Sequence, residues 1–352
     1  MHMADALLAP AVAATMYVAS GTATGVSAYQ LRKDENTQKL PTMAVTAALV
    51  FAGQMINYTI PGTGSSGHMC GGMMLSALLG PQAGFLSMVV ILTIQCLFFA
   101  DGGLMALGAN CWNMAFYGCF VGYFLIWRPI MHSNMFSKME AKAATRLKIM
   151  IASIVGCVVT LQLGALSVVL ETSVSGITDL PFGGFVALMQ PIHLAIGLVE
   201  GLITSAVLIF VYEARPELLQ EIDVNKIGIN AKSSLKTTII MIACVAAVVG
   251  GGLSLLASSN PDGLEWALFG NEEEGYSANM ALDEDNFGIA SSVADSAAGI
   301  QEKTSFLPDY AFSNSDSAVG TTVSGIVGSA MVAGVALFIC FAGRFFRVKK
   351  QQ

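Results

Sequence analysis

Nine stretches of largely apolar residues, roughly 9–30, 41–58, 68–80, 82–100, 111–128, 148–171, 187–212, 236–258 and 318–343, alternate with polar connections along the chain. Most approach or exceed the ~20 residues that an α-helix needs to cross the hydrocarbon core of a bilayer. The pattern predicts an all-α polytopic membrane protein with nine spans. The stretch from His68 to Gly80 is too short to cross ~30 Å at 1.5 Å per residue. The connection before it, Pro61-Gly62-Thr63-Gly64-Ser65-Ser66-Gly67, is therefore expected to dip below the outer surface, where irregular backbone is tolerated only if protein buries it or it lines a cavity. On this reading His68 heads a short helix inside a sheltered, outward-facing pocket.

Charge fixes the orientation. Nine spans with the N-terminus outside leave 16 of the 17 Lys and Arg in the cytoplasm, with Lys303 alone outside. If the short third stretch did not cross, the division would fall to 13 against 4. The C-terminal tail then lies in the cytoplasm and about sixty residues, 259–317, lie outside between the last two spans. The middle of that loop, Asn271 to Gln301, carries seven carboxylates and few large apolar residues, and little fixed structure is expected of it.

Composition agrees: 54% of residues are hydrophobic, 12% are charged and the mean hydropathy is +0.65, far from a soluble domain. The N-terminus lacks the basic region and small-residue cleavage pattern of a secretory signal, so Met1 is expected to stay. The seven cysteines fall within or at the ends of apolar stretches and read as small buried thiols. There is no G-x-x-x-x-G-K-[ST], so any ATP must be hydrolysed by other subunits. There is no H-E-x-x-H either, and no nucleic-acid partner is expected.

The chemistry begins at Met1-His2-Met3. A histidine in second place beside a free amine offers a metal the amine, its own deprotonated amide and an imidazole nitrogen in one plane, an arrangement that suits Ni(II) or Cu(II). One further nitrogen completes it. Of the four histidines, His132 falls in a basic cytoplasmic loop, and only His2 and His68 meet on the outer side. The plainer reading of His68 is a polar residue capping a Gly-Ser loop. His2 leaves one planar position open, which favours the ligand reading. The positive end of a helix dipole at His68 opposes a cation there by a few tenths to about 1 kcal/mol, but it keeps the imidazole neutral, and the deprotonated amide lowers the charge of the complex.

Farther along, Gln190, His193, Gly197, Glu200 and Thr204 form one helical stripe. A carboxyl at that depth must face the protein interior, which makes His193 and Glu200 candidates for support or coupling, or for simple interhelical hydrogen bonding. Asp101 precedes the fifth span, where it is a candidate to support a ligand histidine; a turn at the membrane surface reads the same way. Asp5, Ser66, Asn110 and Asn113 complete the polar residues expected near the site. Glycine pairs at four-residue spacing (Gly21 and Gly25, Gly118 and Gly122, Gly197 and Gly201) predict close helix contacts. The 19 methionines raise a copper(I) reading, which ranks below core filling.

Met1-His2-Met3-Ala4-Asp5, the Pro61–His68 segment, Asp101 through Asn110, Asn113-Met114-Ala115 and His193 through Gly201 resemble the NikM/CbiM family of nickel- or cobalt-specific substrate-capture (S) components of energy-coupling factor transporters. Pro261-Asp262-Gly263-Leu264-Glu265 and Pro308-Asp309-Tyr310 resemble the NikN component. The resemblance implies an S component over 1–215, a cytoplasmic linker over 216–235 and a NikN-like unit over 236–352. It implies metal held by the Met1 amine, the His2 amide and imidazole, and His68. It also implies a membrane coupling subunit and cytoplasmic ATPases as partners, residence in a bacterial or archaeal cell membrane, and no catalytic cofactor. Ala6 and Met3 depart from the family pattern without removing a donor. Asp5 and the Pro-Asp-Gly-Leu-Glu element look more nickel-like than cobalt-like. Rival readings are cobalt uptake, a membrane metalloenzyme, for which the four nitrogens leave no open position in the plane, and a sensor without transport.

Overall fold

The structure is a computed structural model that describes residues 1–348 apart from 34–38, 178–179, 228–232, 273–274, 276–281, 283–286 and 313–317. The first helices are α1 (Pro10–Leu31) and α2 (Lys39–Gln54), followed by a small hairpin of β1 (Tyr58–Ile60) and β2 (Ser65–Gly67). Then come α3 (Gly72–Leu79), α4 (Pro81–Phe99), α5 (Leu107–His132), α6 (Ala141–Val174) and α7 (Phe182–Ala214). The C-terminal part holds α8 (Leu235–Gly251), α9 (Gly263–Phe269), α10 (Ser292–Thr304) and α11 (Ala318–Val348). Each of the nine apolar stretches contains a helix. Among the described residues, six helices are long and apolar enough to cross a membrane: α4, α5, α6, α7, α8 with its continuation to Leu256, and α11. The chain is a multi-pass, all-α membrane protein.

The shortest helix lies deepest. All eight residues of α3 are buried, packed against α4 and α5, and an isolated helix of that length has no stability in water. Side chains such as Met73, Met74, Leu75, Leu78 and Leu79 hold it in place, each worth about 1.5–3 kcal/mol when fully buried. Gly72 and Gly118 let α3 touch α5 backbone to backbone, since a Cβ on Gly118 would stand 2.9 Å from the Gly72 Cα. In α7, Gly197 and Gly201 lie against Val158 and Ile154 of α6 in the same way. Gly21 and Gly25, by contrast, face open space; four-residue spacing puts small residues on one face without deciding whether another helix covers it.

His68 does not head the short helix. It follows β2, and α3 begins only at Gly72. The positive end of the α3 dipole is taken by Glu200, whose two carboxylate oxygens accept the N–H groups of Cys70 (2.8 Å) and Gly71 (2.9 Å). The expected dipole penalty at His68 is thus misplaced, because a carboxylate from α7 absorbs it. The Gln190–Thr204 stripe faces inward as expected: His193, Gly197, Glu200 and Thr204 are buried on α7.

The C-terminal part wraps this bundle. α8 and α11 pack on α2 and on each other. The loop expected to have little fixed structure contains α10, capped by the Ser291 side chain and tied down where Gln301 Nε2 donates to the carbonyls of Cys96 and Gly102. Its acidity is concentrated elsewhere, and 273–274, 276–281 and 283–286 lie outside the described residues. Of the cysteines, Cys70, Cys96, Cys111, Cys119 and Cys157 are buried, but Cys244 is exposed on α8, a helix long and apolar enough to meet lipid.

Replacing Glu200 by alanine strands two buried N–H donors, at about 1–3 kcal/mol each. Thermal unfolding in detergent should therefore show Glu200→Ala well below wild type, with Glu200→Gln, which keeps an acceptor, in between. Equal melting of Glu200→Ala and wild type would remove the cap from this account.

Candidate metal centre

The first five residues are held by the loop between α4 and α5 and by the first turn of α5. Asn110 Oδ1 accepts the Met3 N–H at 2.8 Å and its Nδ2 donates to the Met3 carbonyl at 3.3 Å, so one amide side chain pairs with Met3 as a neighbouring strand would. Gly103 N–H donates to the same carbonyl at 2.9 Å. Asp5 Oδ1 accepts the Ala106 N–H at 2.9 Å, and a Cβ on Gly103 would overlap that carboxylate. The Met1 side chain lies in a gap opened by Gly164, where a Cβ would stand 2.9 Å from its Cε.

Threaded in this way, the terminus brings His2 beside His68. Their rings stack with centroids 5.3 Å apart and 22° between planes. The His2 side chain is 7% exposed; its Nδ1 lies 3.0 Å from Asp101 Oδ1, and its Nε2 is buried without a hydrogen-bond partner among the described residues. Burial lowers the His2 pKa, more than Asp101 raises it, which favours the neutral ring that a metal requires. Asp101 is in turn held by Tyr310, whose hydroxyl donates to Oδ2 at 2.5 Å while its ring stacks on Phe99 at 4.9 Å.

The Met1 ammonium is 2.5 Å from Asp262 Oδ2. Burial alone would lower the ammonium pKa, but the carboxylate beside it reverses this and holds it above the usual value. Conversely, burial would raise the Asp262 carboxyl, and the ammonium holds it well below the ordinary range. Asp262 also caps α9 through its Oδ1, on the N–H groups of Leu264 (2.8 Å) and Glu265 (2.9 Å). The segment before it is pinned to the hairpin: Ser66 N–H donates to Pro261 O at 2.8 Å, and Ser66 Oγ to Asn260 O at 2.7 Å.

Not every residue expected near the site reaches it. Asn113 Nδ2 donates to Glu171 Oε2 at 2.8 Å, one layer deeper. Glu200 holds the backbone two residues beyond His68 rather than any histidine. His193 Nδ1 lies 2.8 Å from the Met189 carbonyl, which leaves Nε2 as a buried lone pair without a partner among the described residues. His193 and Met1, His68 and Asp262 line one small gap. His132 closes α5 and lies 3.3 Å from Glu221, away from the site. Among the described residues no three His, Cys, Asp or Glu side chains converge as a metal cluster.

Sequence reasoning did not place Asp262 on the amine or Tyr310 on Asp101. Both residues lay within the Pro-Asp-Gly and Pro-Asp-Tyr elements, and the signal was present, but no spacing rule connects residues 1 and 262.

The model described as "cobalt uptake substrate-specific transmembrane region" (CbiM) matches residues 2–218, and that of the PDGLE domain matches 236–344. The chain belongs to the CbiM family. It is a NikM/CbiM-type S component joined to a NikN-like PDGLE region, a transporter subunit and not an enzyme. A putative fused nickel transport protein NikMN of Archaeoglobus fulgidus is 35% identical, over 94% of this chain and 95% of its own. The cobalt transport protein CbiM of Sorangium cellulosum is 28% identical over 65% of this chain and 98% of its own. A crystal structure of a truncated transition metal transporter superposes with a TM-score of 0.51 at 31% identity, covering 60% of this chain and 99% of that one. Metal ions of the nickel and cobalt kind are therefore the cargo of this family.

Because the amine's pKa is raised and the carboxyl's is lowered, the ion pair stabilises the fold above the ordinary carboxyl pKa and below the ordinary amine value. The contribution fades as pH falls through the folded value of Asp262 or rises through that of the ammonium. Asp262→Asn should lower the melting temperature of metal-free protein at pH 6, by up to about 3 kcal/mol of stability. The deficit should narrow in strongly alkaline solution, and a deficit that is the same at all pH values would contradict the pair.

Proposed function

We propose that the chain captures Ni(II) from the outer face of the membrane, as the substrate-binding component of an ATP-driven importer of the energy-coupling factor type. The observation that carries this reading is the burial of the Met1 amine and of His2 beside the His68 ring. Amine, His2 amide and His2 imidazole close two fused rings on one ion, and His68 supplies the fourth corner of a plane. The ring to the amide closes only through Nδ1, the atom that now faces Asp101. Capture therefore exchanges that contact, and the Asp262 contact of the amine, for the metal. Loss of the amide proton offsets part of the ion's charge.

The division into 1–215, a linker over 216–235 and a NikN-like unit over 236–352 accords with the two family matches. Nine spans with the N-terminus outside accord with the distribution of Lys and Arg. ATP hydrolysis belongs to separate subunits, since the chain has no phosphate-binding loop. His193 and Glu200, on one face of α7 next to the site and next to α3, are the residues through which movement of the bundle would reach the metal. The similarity of the fused nickel transport relative over almost the whole chain favours nickel; cobalt is the second reading, favoured by the CbiM relatives.

Losing an outer partner of a metal ligand costs about 10–100-fold in affinity, so losing a ligand costs more. Isothermal titration with protein bearing a native terminus should show His2→Ala, or one residue added before Met1, binding Ni(II) at least about 100-fold more weakly. Unchanged affinity in both would refute the chelate. Competition between Ni(II) and Co(II) on the same sample separates the two cargo readings.

A further inference from the structure

One buried histidine is left over by the ligand set. His193 on α7 is 1% exposed, and its Nδ1 lies 2.8 Å from the Met189 carbonyl oxygen. A carbonyl only accepts, so Nδ1 carries the ring proton. With the Met1 ammonium lining the same gap, a second positive charge there is disfavoured, and Nε2 is a lone pair. It has no partner among the described residues, although a buried acceptor without a donor is destabilising.

The gap itself narrows the choice of donor. It measures about 10 Å³ and is lined in part by Met1, His68, Cys70, Asp262 and Gly263, at the lower limit of space for a single water. Gly263 lets the imidazole come alongside Asp262, since a Cβ there would stand 3.2 Å from His193 Cε1. The His68 Nδ1 proton is directed at the Met69 carbonyl, 3.1 Å away, and the Cys70 thiol is a weak donor. The strongest donor on the wall is the Met1 amine, whose ammonium is here paired with Asp262.

We propose that His193 is a positioning residue for the metal-bound terminus: its Nε2 accepts a hydrogen bond from the Met1 amine once that amine has released a proton to solvent and coordinates the ion. The proposal rests on the chelate reading of Met1, His2 and His68. The amine then has a partner suited to each of its two forms. As an ammonium it is matched by the Asp262 carboxylate. As a ligand it is neutral, its lone pair is committed to the metal, and the N–H groups that remain are matched by an acceptor that adds no charge to the complex. Tying down one of them aims the lone pair, as outer partners do for ligand histidines. His193 and Glu200 stand seven residues apart on one face of α7, and Glu200 holds the backbone of Cys70 and Gly71. One helix thus steadies the amine corner of the plane and the run that carries His68.

The test is isothermal titration of Ni(II) into the full chain with a native terminus, together with thermal unfolding of the same samples without and with the ion. It compares wild type, His193→Leu, His193→Gln and Cys70→Ala. His193→Leu should bind Ni(II) about 10–100-fold more weakly, yet without nickel it should melt no lower than wild type, because it removes an unpaired buried acceptor. His193→Gln, whose side-chain oxygen reaches the place of Nε2, should regain most of the affinity, and Cys70→Ala should bind as wild type does. Wild-type affinity in His193→Leu overturns the proposal. So does a leucine variant that melts lower without nickel or fails to fold, which makes the role one of packing, and so does an equal loss in Cys70→Ala, which makes the thiol the partner. Nickel that is paramagnetic in wild type and diamagnetic in His193→Leu would make His193 an axial ligand and overturn it as well. One residue added before Met1 is the control. If that extension abolishes binding while His193→Leu binds normally, the chelate stands and this proposal falls; if affinity survives the extension, the chelate reading falls and takes this proposal with it.

Discussion

A buried ammonium needs a counter-ion, and the pair formed by Met1 and Asp262 is the constraint around which this site is organised. Taking an isolated charge out of water is far more costly than any single contact returns, so the chain start stays inside only because a carboxylate waits there. That carboxylate comes from the far end of the sequence. It is held by its own helix cap and by the Asn260–Pro261 segment that Ser66 pins to the hairpin. The CbiM-type bundle and the PDGLE region therefore meet at the chain start: the first supplies the ammonium, the second the carboxylate that neutralises it.

A second buried carboxylate does comparable work one layer below. Glu200 fixes the backbone of Cys70 and Gly71, and with it the run that carries His68. Because α3 is too short to stand alone, its position depends on this carboxylate and on the close approach of Gly72 to Gly118. Movement of α7 relative to α3 would thus be felt at His68 directly.

Much of the fold was legible in the sequence because lipid enforces a simple rule: long apolar runs become helices. The shortness of the third stretch was legible for the same reason, being local. The position of Asp101 before the fifth span fitted either a partner for a histidine or a surface turn, and the structure sets it beside His2. The errors have physical causes. The short stretch begins with a non-helical segment, so His68 precedes α3, and the helix dipole falls to Glu200. The acidic loop folds in part because Gln301 and Tyr310 find partners on α4 and beyond it, which composition does not reveal. Contacts between residues 1 and 262, or 101 and 310, depend on packing of distant segments, and one sequence carries no record of them.

The central claim is that nickel sits in a plane of four nitrogens that includes the chain's own beginning. Magnetic measurement on nickel-loaded protein with a native terminus tests it most directly. A d⁸ ion in such a plane is diamagnetic and yellow, with sharp, unshifted proton resonances; a paramagnetic ion with broad, shifted resonances would mean six-coordinate nickel and would contradict the account.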